Sequence, residues 1–98
     1  MDPIDSIDGI TEKPRQQYTT DFLTIPDQGV AIESNCADIT FTNYGTVNVI
    51  VNDVVILATN QSITISANRG EIDRTIYRVR YVSGAGTRNA IVVRRIYK

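Results

Sequence analysis

Residues 39–57 read ITFTNYGTVNVIVNDVVIL, and the spacing of their large apolar side chains leaves little choice of fold. Ile39 and Phe41 alternate with Asp38, Thr40 and Thr42. Val47, Val49 and Val51 alternate with Thr46, Asn48 and Ile50. A period of two sends successive side chains to opposite sides of an extended chain, so both runs predict strands with one face on a core. Asn43-Tyr44-Gly45 supplies a first turn. Asn52-Asp53 supplies a second, because both residues tolerate the left-handed backbone of a tight hairpin. The continuous apolar run VVIL at 54–57 has the composition of a strand buried on both faces.

The pattern repeats on both sides of this stretch. Residues 18–25, with Phe22 and Leu23, form a strand-like run closed by Pro26-Asp27-Gln28-Gly29, and 30–32 make a short strand before a loop at 33–35. Residues 58–61 turn the chain into 62–66, where Ile63 and Ile65 alternate with Ser and Thr. The polar loop 67–73 holds Gly70, free to take positive φ. Residues 74–82 put Tyr77, Val79 and Tyr81 on one face and Arg78 and Arg80 on the other. Gly84-Ala85-Gly86 reads as a hairpin loop, leading to a closing strand at 90–97. Short strands with turn signals every 8 to 12 residues or so, and no convincing helix, predict an all-β fold. The expected architecture is a single antiparallel β-sandwich, immunoglobulin-like or jelly-roll-like, of about seven to eight strands. Residues 1–17 are expected to form an extended N-terminal arm, and 18–98 the sandwich domain.

A chain of 98 residues has room for one such domain. Its composition, 42% hydrophobic and 21% charged, is that of an ordinary globular chain, and no apolar run approaches the roughly 20 residues of a membrane-spanning helix. The acidic start MDPIDSIDGITEK lacks the basic and apolar blocks of a secretory signal, and a single cysteine makes no internal bridge, so a reducing compartment is expected. The net charge of -1 conceals a polarity: nine acids stand against two bases before residue 69, and eight bases against two acids from Arg69 on. Two accounts of it are open. Basic strands lie beside acidic ones within one molecule, or acidic and basic surfaces of neighbouring copies meet.

The absence of histidine removes the usual general base, the commonest metal ligand and the histidine-dependent triads together. Cys36 has no basic neighbour in sequence to favour its thiolate, so an inert, partly buried thiol is expected. Asp2, Asp5 and Asp8 lack the offsets and closing glutamate of a calcium loop. Glu71 and Asp73 are expected to pair with nearby arginines. Gly84-Ala85-Gly86 has neither the third glycine nor the following helix of a phosphate loop. These readings predict a protein that is not an enzyme and uses no cofactor or metal.

Binding is the remaining class. Ile4, Ile7 and Ile10 recur every third residue and suit anchors on a neighbouring subunit. Arg74, Tyr77, Arg78, Arg80, Tyr81, Arg94, Arg95, Tyr97 and Lys98 interleave bases and rings on two strands expected to be adjacent. Such a surface could stack bases and track phosphates. Against it, the rings of 74–82 alternate with Arg78 and Arg80 and so face away from them. Single-stranded nucleic-acid binding is therefore an alternative, and a carbohydrate-binding tail or head-fibre module without tryptophan another.

The series FTNYGTVNVIVNDVVIL, QSITISANRGEIDRTIYRVRY and NAIVVRRIYK, with its Thr-Asn-x-Gly-Thr turn, Val-Asn hairpin, Gly-Glu-Ile-Asp loop and basic last strand, resembles the small β-sandwich structural proteins of tailed bacteriophages, particularly the auxiliary capsid proteins of crAss-like phages. The likeness covers residues 19–98. It implies a non-enzymatic, decoration-type auxiliary capsid protein, assembled in the host cytoplasm and located in the virion. Its partners would be the major capsid protein or other virion proteins, met in many copies, with neither membrane nor nucleic acid expected. The surface anticipated to meet such a partner is Arg74, Arg78, Arg80 and Arg94 together with Ile4, Ile7 and Ile10 of the arm.

Overall fold

The computed structural model describes residues 17–97. Ile4, Ile7 and Ile10 lie outside the described residues, as does Lys98. The described strands are β1 (Tyr18–Thr24), β2 (Val30–Glu33), β3 (Asp38–Asn43), β4 (Val49–Val51), β5 (Val55–Leu57), β6 (Ser62–Ser66), β7 (Ile76–Tyr81) and β8 (Ala90–Tyr97). They form two four-stranded antiparallel sheets, β1-β8-β3-β6 and β2-β7-β4-β5. The strands are rich in Thr, Val, Ile, Tyr and Phe, the β-branched and aromatic residues that fit a pleated, half-buried surface.

The pairing has a simple origin. β4 pairs with β5, β3 with β6, β2 with β7 and β1 with β8. The chain is thus one long hairpin doubled back at Asn52-Asp53, whose ribbon is wrapped so that successive strand pairs fall in alternate sheets. Wrapping then brings β8 against β3 and β7 against β4. This is the strand order of a jelly roll, and it decides between the two sandwich types expected. The hairpin tip has the anticipated left-handed backbone, with φ of 52° at Asn52 and 58° at Asp53, closed by the Val54 N–H donating to the Val51 carbonyl at 3.1 Å. Asn52 ties the tip to β7, its Oδ1 accepting the Arg78 N–H at 2.7 Å.

Ile39, Phe41, Val49, Val51, Val79 and Val92 meet between the sheets and are buried. The Phe41 and Tyr77 rings join the layers edge to face, with centroids 5.3 Å apart at 62°. Each such side chain contributes about 1.5 to 3 kcal/mol by leaving water. At one end of the sandwich buried Asn43 satisfies the segment between β3 and β4: its Nδ2 donates to the carbonyls of Val47 and Leu57, both at 3.0 Å, and its Oδ1 accepts the Gly45 N–H at 2.9 Å. Gly45 itself has no room for a side chain, since a Cβ would run into the Thr87 carbonyl oxygen and lie 2.8 Å from the Asn89 nitrogen.

Three local expectations change. Residues 54–57 do not form a doubly buried strand: Val54, 79% exposed, belongs to the hairpin tip, and Ile56, 60% exposed, faces outward from β5, since in a two-layer sandwich only one side of each strand meets the core. Gly84-Ala85-Gly86 is not a hairpin loop, since its segment carries the chain from β7 in one sheet to β8 in the other. For the same reason β7 and β8 are not adjacent, and the bases and rings of 74–82 and 94–98 do not share one surface.

Candidate docking surface

Period-two alternation fixes which side chains leave the core. On the β2-β7-β4-β5 sheet the inward set is Ile32, Tyr77, Val79, Val49, Val51 and Leu57, so Ala31, Glu33, Ile76, Arg78, Arg80, Ile50 and Ile56 face outward. Arg80 lies opposite Ile50, and Ile50 opposite Ile56, making a continuous row across β7, β4 and β5. Ile76 is 50% exposed one end of β7 away, and Val54 stands at the hairpin tip beside Asp53. Arg80 Nε donates to Asp53 Oδ1 at 3.0 Å, an exposed ion pair worth under about 1 kcal/mol. The result is an Ile50–Ile56 pair beside Arg80, with Ile76 set apart beyond Arg78 and opposite Glu33. Sequence reasoning named the arginines and missed the isoleucines. The signal was present: Ile50 lies out of phase with Val49 and Val51, and Ile76 with Tyr77.

Arg94 takes a different place. It points inward at the other end of the sandwich, its side chain only 19% exposed, and pairs through Nε and Nη2 with Asp21 on β1. Its Nη1 donates to the carbonyls of Glu33 at 2.8 Å and Ser34 at 3.3 Å, so one guanidinium fastens the end of β2 to the opposite sheet. Those contacts take its donors away from any partner surface. Arg74 and Arg78 are exposed. Arg95, next in sequence, faces out from the other sheet, 3.2 Å from Asp38 and with its guanidinium 4.3 Å above the Tyr18 ring.

Asp73 does not pair with arginine among the described contacts. It sits in the loop before β7, where Oδ1 accepts from the Thr75 N–H and hydroxyl at 3.0 and 2.7 Å and Oδ2 from the Tyr77 hydroxyl at 2.6 Å. Burial pushes its carboxyl up, but these hydrogen bonds outweigh burial and hold it below the ordinary value of 3.8. Burial, then the bond to Asp73, pushes the Tyr77 hydroxyl up to about 12. Cys36, bridged to Asp73 through backbone bonds in both directions, is fully buried. Its thiol is pushed up by burial and then by the Asp73 charge, which disfavours the reactive thiolate.

The anticipated stacking surface divides between layers. Tyr77 and Tyr81 are core residues, the latter donating to the Ile25 carbonyl at 2.9 Å, whereas Tyr97 stands 5.2 Å from Tyr18 on the outer side of the other sheet. The described residues enclose no pocket and gather no group of three or more metal-ligating side chains. No described helix is long and apolar enough to cross a membrane. No family model matches the chain, and neither a curated protein nor a solved structure matches it.

Proposed function

We propose that the chain is a non-enzymatic auxiliary structural protein of a bacteriophage virion, docked in many copies on the shell, with the major capsid protein as its partner. One observation carries the reading: Ile50, Ile56 and Ile76 stand on an exposed sheet face with Val54 at the tip and Arg78 and Arg80 beside them. A monomer gains nothing from that composition on a solvated face. On a partner surface each isoleucine would contribute up to about 1.5 to 3 kcal/mol on losing water, less the cost of ordering the contact. Repetition over a symmetric shell multiplies such modest contacts. The jelly-roll topology supports the reading only by analogy, because lectins and cupins share it with viral shell proteins.

Purified particles of the phage that encodes the chain should contain it in many copies, and Ile56→Asp should abolish its sedimentation with particles lacking the native protein while the isolated variant keeps its strand content. Absence from purified particles, or full retention of Ile56→Asp, would reject the proposal. The nucleic-acid alternative is decided by titration with single-stranded oligonucleotides across salt, where phosphate contacts must weaken steeply as salt rises.

A further inference from the structure

A sheet edge is a row of unpaired backbone N–H and C=O groups, and proteins guard such rows with charge, proline, bulges or brevity. The described residues present four such edges. β2 and β5 are only four and three residues long. β1 is longer, but Asp21 points inward from it onto Arg94, and an inward charge opposes the addition of a further strand. β6 has none of these guards: its five residues are serine, isoleucine and threonine, in unbroken register with β3. Among the described residues β3 is its one strand neighbour. The ladder between them shows which groups are spare. The Ala67 N–H donates to the Ala37 carbonyl at 2.8 Å just beyond the strand, and antiparallel bonding alternates from there. Ile63 and Ile65 therefore spend their backbone groups on β3, while Ser62, Thr64 and Ser66 turn theirs to the open side.

We infer that β6 pairs antiparallel with β6 of a second copy of this chain, about a two-fold axis at Thr64. The strand's own composition sets the register. Thr64 lies opposite Thr64 of the other copy, and Ser62 opposite Ser66, so every spare N–H and C=O of the strand finds a partner. A shift by two residues takes either Ser62 or Ser66 out of the pairing. On the inward side Ile63 meets Ile65 of the other copy, both half-buried at the rim of the core. On the outward side hydroxyl meets hydroxyl, continuing the Thr40–Thr64 contact at 2.8 Å across the axis. Charge selects no other occupant, because β6 carries none and the pairs Asp21–Arg94, Asp38–Arg95 and Asp53–Arg80 are made within one molecule. The pairing joins the two β1-β8-β3-β6 sheets into one. A continuous sheet keeps its inward side facing one way, so both β2-β7-β4-β5 sheets lie on the same side of it and their Ile50, Ile56 and Arg80 face the same direction. The dimer then offers the proposed docking face twice to one partner surface, and linked contacts multiply where a single one is weak. Only that last consequence rests on the docking proposal. Five residues a side fall short of the roughly 20 to 30 of a standard interface, so the dimer should dissociate on dilution.

Sedimentation equilibrium of the full-length chain should give a mass that rises with concentration from 10.9 kDa towards twice that value. Thr64→Pro removes the central N–H on the open side of an edge, where proline is tolerated, and should hold the mass at one chain while circular dichroism shows the strand content kept. Thr64→Lys, which sets like charges opposite one another across the axis, should do the same and serves if the proline variant unfolds. Cysteine cross-linking reads the register, since native Cys36 is fully buried. Thr64→Cys should form a disulfide-linked dimer on oxidation. Ser62→Cys alone should not, whereas Ser62→Cys mixed with Ser66→Cys should. A single-chain mass at every concentration, a dimer that survives both Thr64 substitutions, or Ser62→Cys linking to itself as readily as Thr64→Cys would overturn the inference. None of these measurements uses a particle, so their failure leaves shell docking standing, and a failure to bind particles leaves the pairing standing.

Discussion

The two outer faces of the sandwich obey the same alternation and differ in what it delivers to solvent. On β1-β8-β3-β6 the outward strand positions include Thr20, Thr24, Thr40, Thr42, Ser62, Thr64 and Ser66, with Asp38 and Arg95 ion-paired among them. Thr40 and Thr64 sit opposite one another with their hydroxyl oxygens 2.8 Å apart, so the face satisfies part of its own hydrogen bonding. The apolar exceptions are Phe22 beside Val93, Ile91 next to Thr24, and the Tyr18–Tyr97 ring pair. On β2-β7-β4-β5 the outward strand positions carry no serine or threonine, only Ala31, Glu33, isoleucines and arginines. Hydroxyls suit water. Isoleucines in that place leave apolar area in water, and the proposed docking rests on this contrast between the two sides of the molecule.

Substitutions can break this comparison, beginning where the faces should not differ at all. Phe41 belongs to the interior that both sheets share, so Phe41→Ala should cost about 3 to 5 kcal/mol and lower the thermal midpoint by more than about 10 °C in a domain this small. If Ile56→Asp cost as much, Ile56 would be a core residue and the outer face would lose its meaning. The pair Arg94 and Arg95 gives the next test. Arg94→Ala, which leaves Asp21 half-buried without its partner, should cost about 2 to 3 kcal/mol, and Arg95→Ala on the hydroxyl face under about 1 kcal/mol, both measured by urea denaturation.

A third test uses pH. The Tyr77 hydroxyl is raised in the folded state, so the stability it contributes is complete below about 10 and falls away as pH rises towards about 12. Asp73 is lowered, so its contribution is present above 3.8 and is lost as pH falls below that value. Tyr77→Phe, which removes the hydroxyl and its bond to Asp73, should cost about 1 to 2 kcal/mol at neutral pH and flatten the alkaline limb of the stability profile. The smallest effect sharpens the contrast most. Thr40→Val and Ile56→Asp should each change stability by no more than about 0.5 kcal/mol, while only Ile56→Asp should abolish retention on particles.

Much of this was legible in the chain. The strand at residues 62–66, the inward phase of Tyr77, Val79 and Tyr81, the tip at Asn52-Asp53 and the closing strand at 90–97 follow from local alternation and turn chemistry, which need only near neighbours in sequence. The outer face of β2-β7-β4-β5 was half legible: Arg78 and Arg80 were named, but Ile56 was taken for a doubly buried residue because VVIL is apolar throughout. Periodicity within one run does not say whether that run ends up in the middle or at the edge of a sheet.

Local spacing therefore determined that the chain makes strands, and which side of each strand is apolar. The side of the sandwich that is open, and the partners of each charge, were decided only by the wrapping of the hairpin. That wrapping put β5 at an edge, sent β7 and β8 to opposite sheets and turned Arg94 inward onto Asp21, 73 residues earlier in the chain. The physical reason is that burial and ion pairing depend on contacts between segments far apart in sequence, and such contacts exist only once the two layers have closed on each other.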